Sequence, residues 1–264
     1  MRSARIYAVV CLSLVLTSPA FAQQTSTTTT QSPPQRDSQA VAIVQQAIGT
    51  MANGNPSDST ATGTVTTVAG SLTETGTVTI LTRGTNQSSE QIQTPSGFTS
   101  VYSQGRASRI IGGSFTKVSI ESAVTSQSTY FPLPLLVAAT ANPDFSFKYI
   151  GLETLNGTPV RHVQFWNTFA SISDLQPLAN FSVRDVWLDS ASGLPRRFSF
   201  TRRSAGGSSP GVVVDVVLSD YRNVTGVLYP FSIQVSLNGT PWATIAIQNV
   251  TLNSGLSDSS FPVQ

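Results

Sequence analysis

Residues Ser182–Phe261 decide the fold. They read SVRDVWLDSASGLPRRFSFTRR (182–203), then GVVVDVVLSDYRNVTGVLYPFSIQVSLNG (211–239), then TPWATIAIQNVTLNSGLSDSSF (240–261). Phe231, Ile233, Val235 and Leu237 alternate with Ser232, Gln234, Ser236 and Asn238. Successive strand residues point to opposite faces, so this segment predicts a strand with one apolar and one polar face. The whole stretch predicts strands near 181–189, 194–203, 211–220, 224–238 and 242–253. Asp189-Ser190-Ala191-Ser192-Gly193 and Asn238-Gly239 are turn sequences between them.

Upstream, the same period of two predicts strands at Thr60–Val68, Thr73–Arg83, Ser88–Thr94 and Gly97–Ser103. Gly84, Asn86, Pro95 and Gly97 punctuate them, and such short connections join antiparallel neighbours. Gly105–Thr116 reads as a loop carrying Arg106 and Arg109, with Gly112-Gly113 at its centre. Phe145–Thr154 and Pro159–Trp166 read as a hairpin around Asn156-Gly157. Helical spacing appears at Gln39–Ala52, where Val41, Val44, Ile48 and Met51 form a narrow stripe. Asp37 or Ser38 can cap it and Asn53-Gly54 can stop it. Ser171–Ala179 suits a short helix. The expected class is mainly β with a few helices: an incomplete, curved antiparallel barrel of about 10–11 strands.

Phe131-Pro-Leu-Pro-Leu-Leu-Val-Ala-Ala139 is the most apolar run after the N-terminal region. It suits a short helix over about Pro134–Thr140, too short to span a bilayer. Two readings stand. The run is a plug of the core, or it is a lid over a lipid-sized cavity with Leu133, Leu135, Leu136 and Val137 at its mouth. Val44 and Ile48 of the first helix join them as candidate ligand contacts.

The first 22 residues read as a signal peptide. Arg2 and Arg5 precede the apolar run Ile6–Leu16, and Ala20-Phe21-Ala22 is a small-x-small cleavage site. Gln23–Arg36, rich in Thr, Ser, Gln and Pro, reads as a disordered tether. One domain is expected over 37–264. The sole cysteine, Cys11, lies in the signal, so neither disulfides nor thiolate sites are expected after it. No transmembrane span is expected after cleavage. Removing Arg2 and Arg5 from the 15 Lys and Arg leaves 13, equal to the 13 Asp and Glu. Near-neutral charge argues against nucleic acid as a partner.

Catalytic chemistry finds little support. The single histidine, His162, alternates with Val160, Gln164 and Trp166, and no metal-ligand spacing surrounds it. Asp185, Asp189, Asp215 and Asp220 include turn residues at strand ends. The chain contains no glycine-rich phosphate loop. No catalytic residue, metal or cofactor is expected.

The last 80 or so residues carry a resemblance. Val186-Trp-Leu-Asp189 with Ser192-Gly-Leu-Pro195 and Arg197 is similar to a hairpin of outer-membrane lipoprotein-sorting proteins, the LolA-like superfamily. Ser219-Asp-Tyr-Arg222 with Val224-Thr-Gly-Val-Leu-Tyr-Pro230 resembles the strand pair that follows there. Asn249-Val-Thr-Leu-Asn253 with Leu256 and Phe261 resembles its closing segment. The resemblance implies a half-barrel with helices on its concave face and an apolar cavity for acyl chains. It also implies a basic side chain near a lid, for which Arg83, Arg106 and Arg109 are the candidates by position.

Two function classes follow. The first is an exported, non-catalytic carrier or binder of lipid or lipoprotein acyl chains in the bacterial envelope. The periplasm is its expected compartment and the extracellular space the alternative. The second is an envelope structural or sensor domain on the same fold, with a packed interior, an envelope protein partner and no lipid.

Overall fold

The computed structural model describes residues 33–203 and 211–264. The expected signal peptide and most of the expected tether lie outside the described residues. Among the described residues, thirteen strands form one antiparallel sheet, not closed into a barrel. A first meander holds β1 (Asp58–Ala69), β2 (Leu72–Arg83), β3 (Gln87–Gln93), β4 (Phe98–Ser103), β5 (Arg106–Ile111) and β6 (Ser114–Lys117). A second holds β7 (Phe145–Leu155), β8 (Thr158–Asn167), β9 (Arg184–Asp189), β10 (Pro195–Arg202), β11 (Val212–Val224), β12 (Val227–Leu237) and β13 (Thr240–Leu252). β1 pairs with β13, so the strand order runs from β6 inward to β1, across to β13, and outward to β7.

Two differences from the sequence expectation have local causes. Gly105–Thr116 is the hairpin β5–β6, not a loop, which accounts for the two strands beyond the expected count. Its turn is Gly112-Gly113, with φ of 55° and 81°. Two left-handed residues make the turn whose twist matches flanking strands. Second, β11 continues to Val224, and the turn falls at Thr225-Gly226 rather than before Val224. The Asn156-Gly157 and Asn238-Gly239 turns both take the left-handed conformation expected of them.

Helix α1 (Ser38–Met51) starts at Asp37, whose carboxylate accepts from Gln39 N at 2.9 Å and Ala40 N at 3.3 Å. It buries Ala40, Ile43, Val44, Ala47 and Met51, a face rotated from the expected stripe. It packs against α3 (Leu133–Ala141) and against β7, β8 and β12. A short helix α2 (Ile120–Ala123) is capped by Ser119, and a 3₁₀ helix spans Ser173–Phe181. No helix among the described residues is long and apolar enough to cross a membrane.

Cross-strand rows show how the inner face is built. Val163, Val186, Phe198, Val216, Val235 and Ala243 are successive partners across β8 to β13, and all are buried. Phe131 stacks on Tyr229 at 4.4 Å in the deepest part of this core. Both sheet edges are blunted. β6 is four exposed residues ending in Lys117. At β7, Gln35 and Arg36, the end of the expected tether, run beside Phe147, with Phe147 N donating to Gln35 O at 2.8 Å.

The buried Asp58 carboxylate gathers the C-terminal segment. It accepts from Ser254 N (2.7 Å), Ser254 Oγ (2.8 Å), Gly255 N (2.9 Å) and Leu256 N (3.3 Å). Burial alone would raise its pKa, but these donors outweigh burial and hold it below the ordinary carboxylate value. A depressed folded pKa means stability that is present above the unfolded value and lost as pH falls through the folded one. Thermal melts should therefore weaken below about pH 4. Asp58→Asn should lower stability by about 1–3 kcal/mol at neutral pH and remove that part of the acid sensitivity.

At the β1–β13 seam the register shifts at Gly63, where an added Cβ would lie 2.1 Å from Ala246 O. Gly63→Ala should cost about 3 kcal/mol in urea unfolding, because one backbone must move.

Candidate ligand-binding cavities

Of three cavities among the described residues, the largest of the three measures about 550 Å³. Its walls come from β3–β5 on one side and β10–β13 on the other, and the segment Val118–Tyr130 covers it. The wall residues follow strand phase. Phe200 pairs with Val214 and Val214 with Leu237; the next row adds Val216 and its partner Val235. Trp242 and Phe98 stack at 6.0 Å and border both this cavity and one of about 250 Å³. The β10–β13 wall is apolar and can take an apolar chain, while the opposite wall and the cover carry polar groups such as Ser100, Ser108, Thr125 and Thr129.

Cations stand at the rim. Arg109 lies over the Phe98 ring at 3.7 Å and borders both cavities, as does Arg202. Partial burial, then the nearby Arg202, hold the Arg109 pKa below the ordinary arginine value. Glu90 is the one acidic residue among the described residues lining the large cavity, and it accepts from Ser128 Oγ at 2.6 Å. Burial raises its pKa, which favours its neutral form.

Register distributes the three expected basic residues. Ala61, Ile80, Glu90, Ser100 and Arg109 are successive partners, which puts Arg109 on the inner face. Arg83, Gln87, Ser103 and Arg106 form a row on the outer face. There Arg83 pairs with Asp258 and donates to Leu256 O at 3.1 Å. Arg106 donates to Val263 O at 3.4 Å.

The expected mouth residues separate too. Leu133, Leu136 and Val44 are fully buried in the packed core, while Val137 and Ile48 are half-buried against it. Leu135 alone among them faces a cavity, the third one, of about 490 Å³. That cavity lies between α2, α3, the 3₁₀ helix and the ends of β7–β9, and meets the largest at Gln127.

One lining residue escaped sequence reasoning. Arg184 belongs to the inner row Phe147, Phe165, Arg184, Phe200, Val214 and Leu237. The signal was present in Arg184–Val186–Leu188, an arginine in the apolar phase of a strand.

His162 lies on the opposite face of the sheet from these cavities. Its ring nitrogens stand 2.6 Å from Glu153 Oε1 and 2.8 Å from Asp185 Oδ1, and the ring stacks on Trp187 at 4.3 Å. Trp187 Nε1 donates to Glu153 at 2.8 Å, and Arg197 covers Trp187 at 4.7 Å. This network ties β7 to β10 on the outside, with no nucleophile among the contacts.

No protein-family model and no curated protein matches the chain. Solved structures do. A LolA superfamily protein from Nitrosomonas europaea aligns with a TM-score of 0.54 at 14% identity, over 84% of this chain and 97% of that one. The fold is LolA-like. An outer-membrane lipoprotein-sorting protein domain from Vibrio parahaemolyticus aligns with a TM-score of 0.54 at 13% identity, over 84% and 96% of the two chains. A DUF1329 family protein from Desulfovibrio piger aligns at 0.52 and 12% identity, over 84% and 97%. This LolA-like chain thus shares with them its backbone architecture: one long antiparallel sheet around a few helices.

His162→Gln should cost about 1 kcal/mol, since its partners are half-exposed, and should leave hydrophobic-probe binding unchanged. Calorimetric melts and a probe titration on the same sample check both.

Proposed function

We propose that this chain is an exported, non-catalytic binder or carrier of a hydrophobic ligand, lipid or lipoprotein acyl chains, in the bacterial envelope. One observation carries the reading: strand residues in apolar phase face an unfilled cavity of about 550 Å³ instead of another layer. The volume lies in the range of ligand pockets, about 300–1,000 Å³. Each methylene moved into it from water is worth about 0.8 kcal/mol, so one acyl chain is held without covalent chemistry. Similarity to lipoprotein-sorting folds supports the same reading, and the N-terminal signal-like sequence supports export. In this reading Arg109, on the inner face at the rim, is the basic residue that meets the ligand's polar end. Leu135 faces the adjoining cavity, and the other expected mouth residues serve by packing.

Trp242 gives a direct test. In a Trp166→Phe, Trp187→Phe background it is the only tryptophan of the chain. A dibrominated stearoyl chain should quench its fluorescence, and Val235→Trp, added in a background with Trp242→Phe, should reduce uptake of the same chain by about tenfold by filling the wall. Absence of quenching, with no acyl chains released from protein purified from its native envelope, would sink the carrier reading in favour of a structural or sensor domain.

A further inference from the structure

The 490 Å³ cavity holds a second feature, independent of the large one. Arg184 is the one charged residue among the described residues that lines it. Its side chain occupies an inward strand position between Phe165 and Phe200, and the residue is 2% exposed. The guanidinium lies 5.0 Å from the centre of the Phe200 ring. Nη2 reaches Val124 O only at 3.5 Å, and buried Nη1 has no partner. No carboxylate among the described residues stands within ion-pair distance of it; Glu90 favours its charge only from farther off.

A buried cation in an apolar row is costly unless something pairs with it. One long contact to a carbonyl and a ring face do not satisfy a guanidinium with five donors. Burial lowers the Arg184 pKa to about 10, which leaves the group charged at neutral pH. Around it the wall is mostly apolar: Val124, Leu135, Phe145, Phe169 and Leu178. A planar donor fork at one point of an apolar chamber fits a carboxylate or a phosphate monoester, which accepts two parallel bonds. The size, about 490 Å³, suits a medium-length chain behind that head.

We propose that this cavity is a separate binding site for an anionic amphiphile, its carboxylate or phosphate seated on Arg184 and its tail along Phe145, Phe169 and Leu178. Of its lining residues only Gln127 also lines the large cavity, and the site does not depend on an acyl chain being held there.

Calorimetric titration of the full chain with decanoate, decyl phosphate, decanol and inorganic phosphate tests it. The expected result is that one or both anionic amphiphiles bind at least about tenfold tighter than decanol. Arg184→Met should erase that preference while leaving decanol binding unchanged. In the wild-type protein, the ¹⁵N resonances of the Arg184 guanidinium should shift with the anionic amphiphile and not with decanol. This measurement stands even if the variant fails to fold. Equal affinity for decanoate, decyl phosphate and decanol would overturn the assignment. So would a preference that survives Arg184→Met, or inorganic phosphate binding as tightly as the amphiphiles. Trp242 borders the 550 and 250 Å³ cavities and not this one, so its quenching by the brominated chain is a separate readout. Quenching without an Arg184 shift removes this proposal and keeps the carrier reading; an Arg184 shift, with no quenching and no acyl chains released from the purified protein, keeps this proposal and removes the large cavity as an acyl-chain site.

Discussion

The pairing of β1 with β13 is the constraint on which the rest of the structure depends. It brings Ser59 opposite Leu252 and Thr67 opposite Ala243, residues separated by most of the chain. Two meanders that are each local become one sheet through this seam. Val65, Ile245, Ile233 and Leu218 then form one buried row that neither meander could bury alone. Such distant pairing carries a loop-closure cost before any contact returns it. Near the same seam, Asp58 draws the C-terminal segment onto the start of β1, and Phe261 packs with Leu81 and Val101.

The inner face is then used in two ways. Under α1 and α3 it is filled, with Phe131 on Tyr229 and Leu133 and Leu136 fully buried. Under Val118–Tyr130, whose one helix is the short α2, the cover supplies mostly small polar residues such as Ser119, Ser122, Thr125 and Ser126 and leaves space between β3–β5 and β10–β13. The run Phe131–Ala139 is therefore chiefly core, and Leu135 and Ala138 are the positions where it borders open volume. The functional reading follows from this imbalance between a long curved sheet and few helices.

Much of the architecture was legible because strand alternation is a local property. Phe231–Leu237 reads as one apolar face without any knowledge of its neighbours, and it becomes the buried side of β12. The β5–β6 hairpin was missed because its strands are short and only their Gly-Gly turn marks them. The candidate site was less legible. Arg83, Arg106 and Arg109 look alike in sequence, yet register sends two outward and one inward. Arg184 was readable as a charge out of phase, but its phase gains meaning only when Phe165 and Phe200 are its neighbours.

By itself the sequence determined a mainly antiparallel β protein, most of its turns, its first helix and its lack of cysteine after Cys11. These rest on periods of two and 3.6 residues and on the backbone needs of Asn-Gly pairs, all decided within a few residues. Only the tertiary structure decided which arginines face inward, where α3 is buried, and where volume stays open. Those outcomes depend on the β1–β13 register and on how far a few helices reach across thirteen strands, and no local pattern contains either.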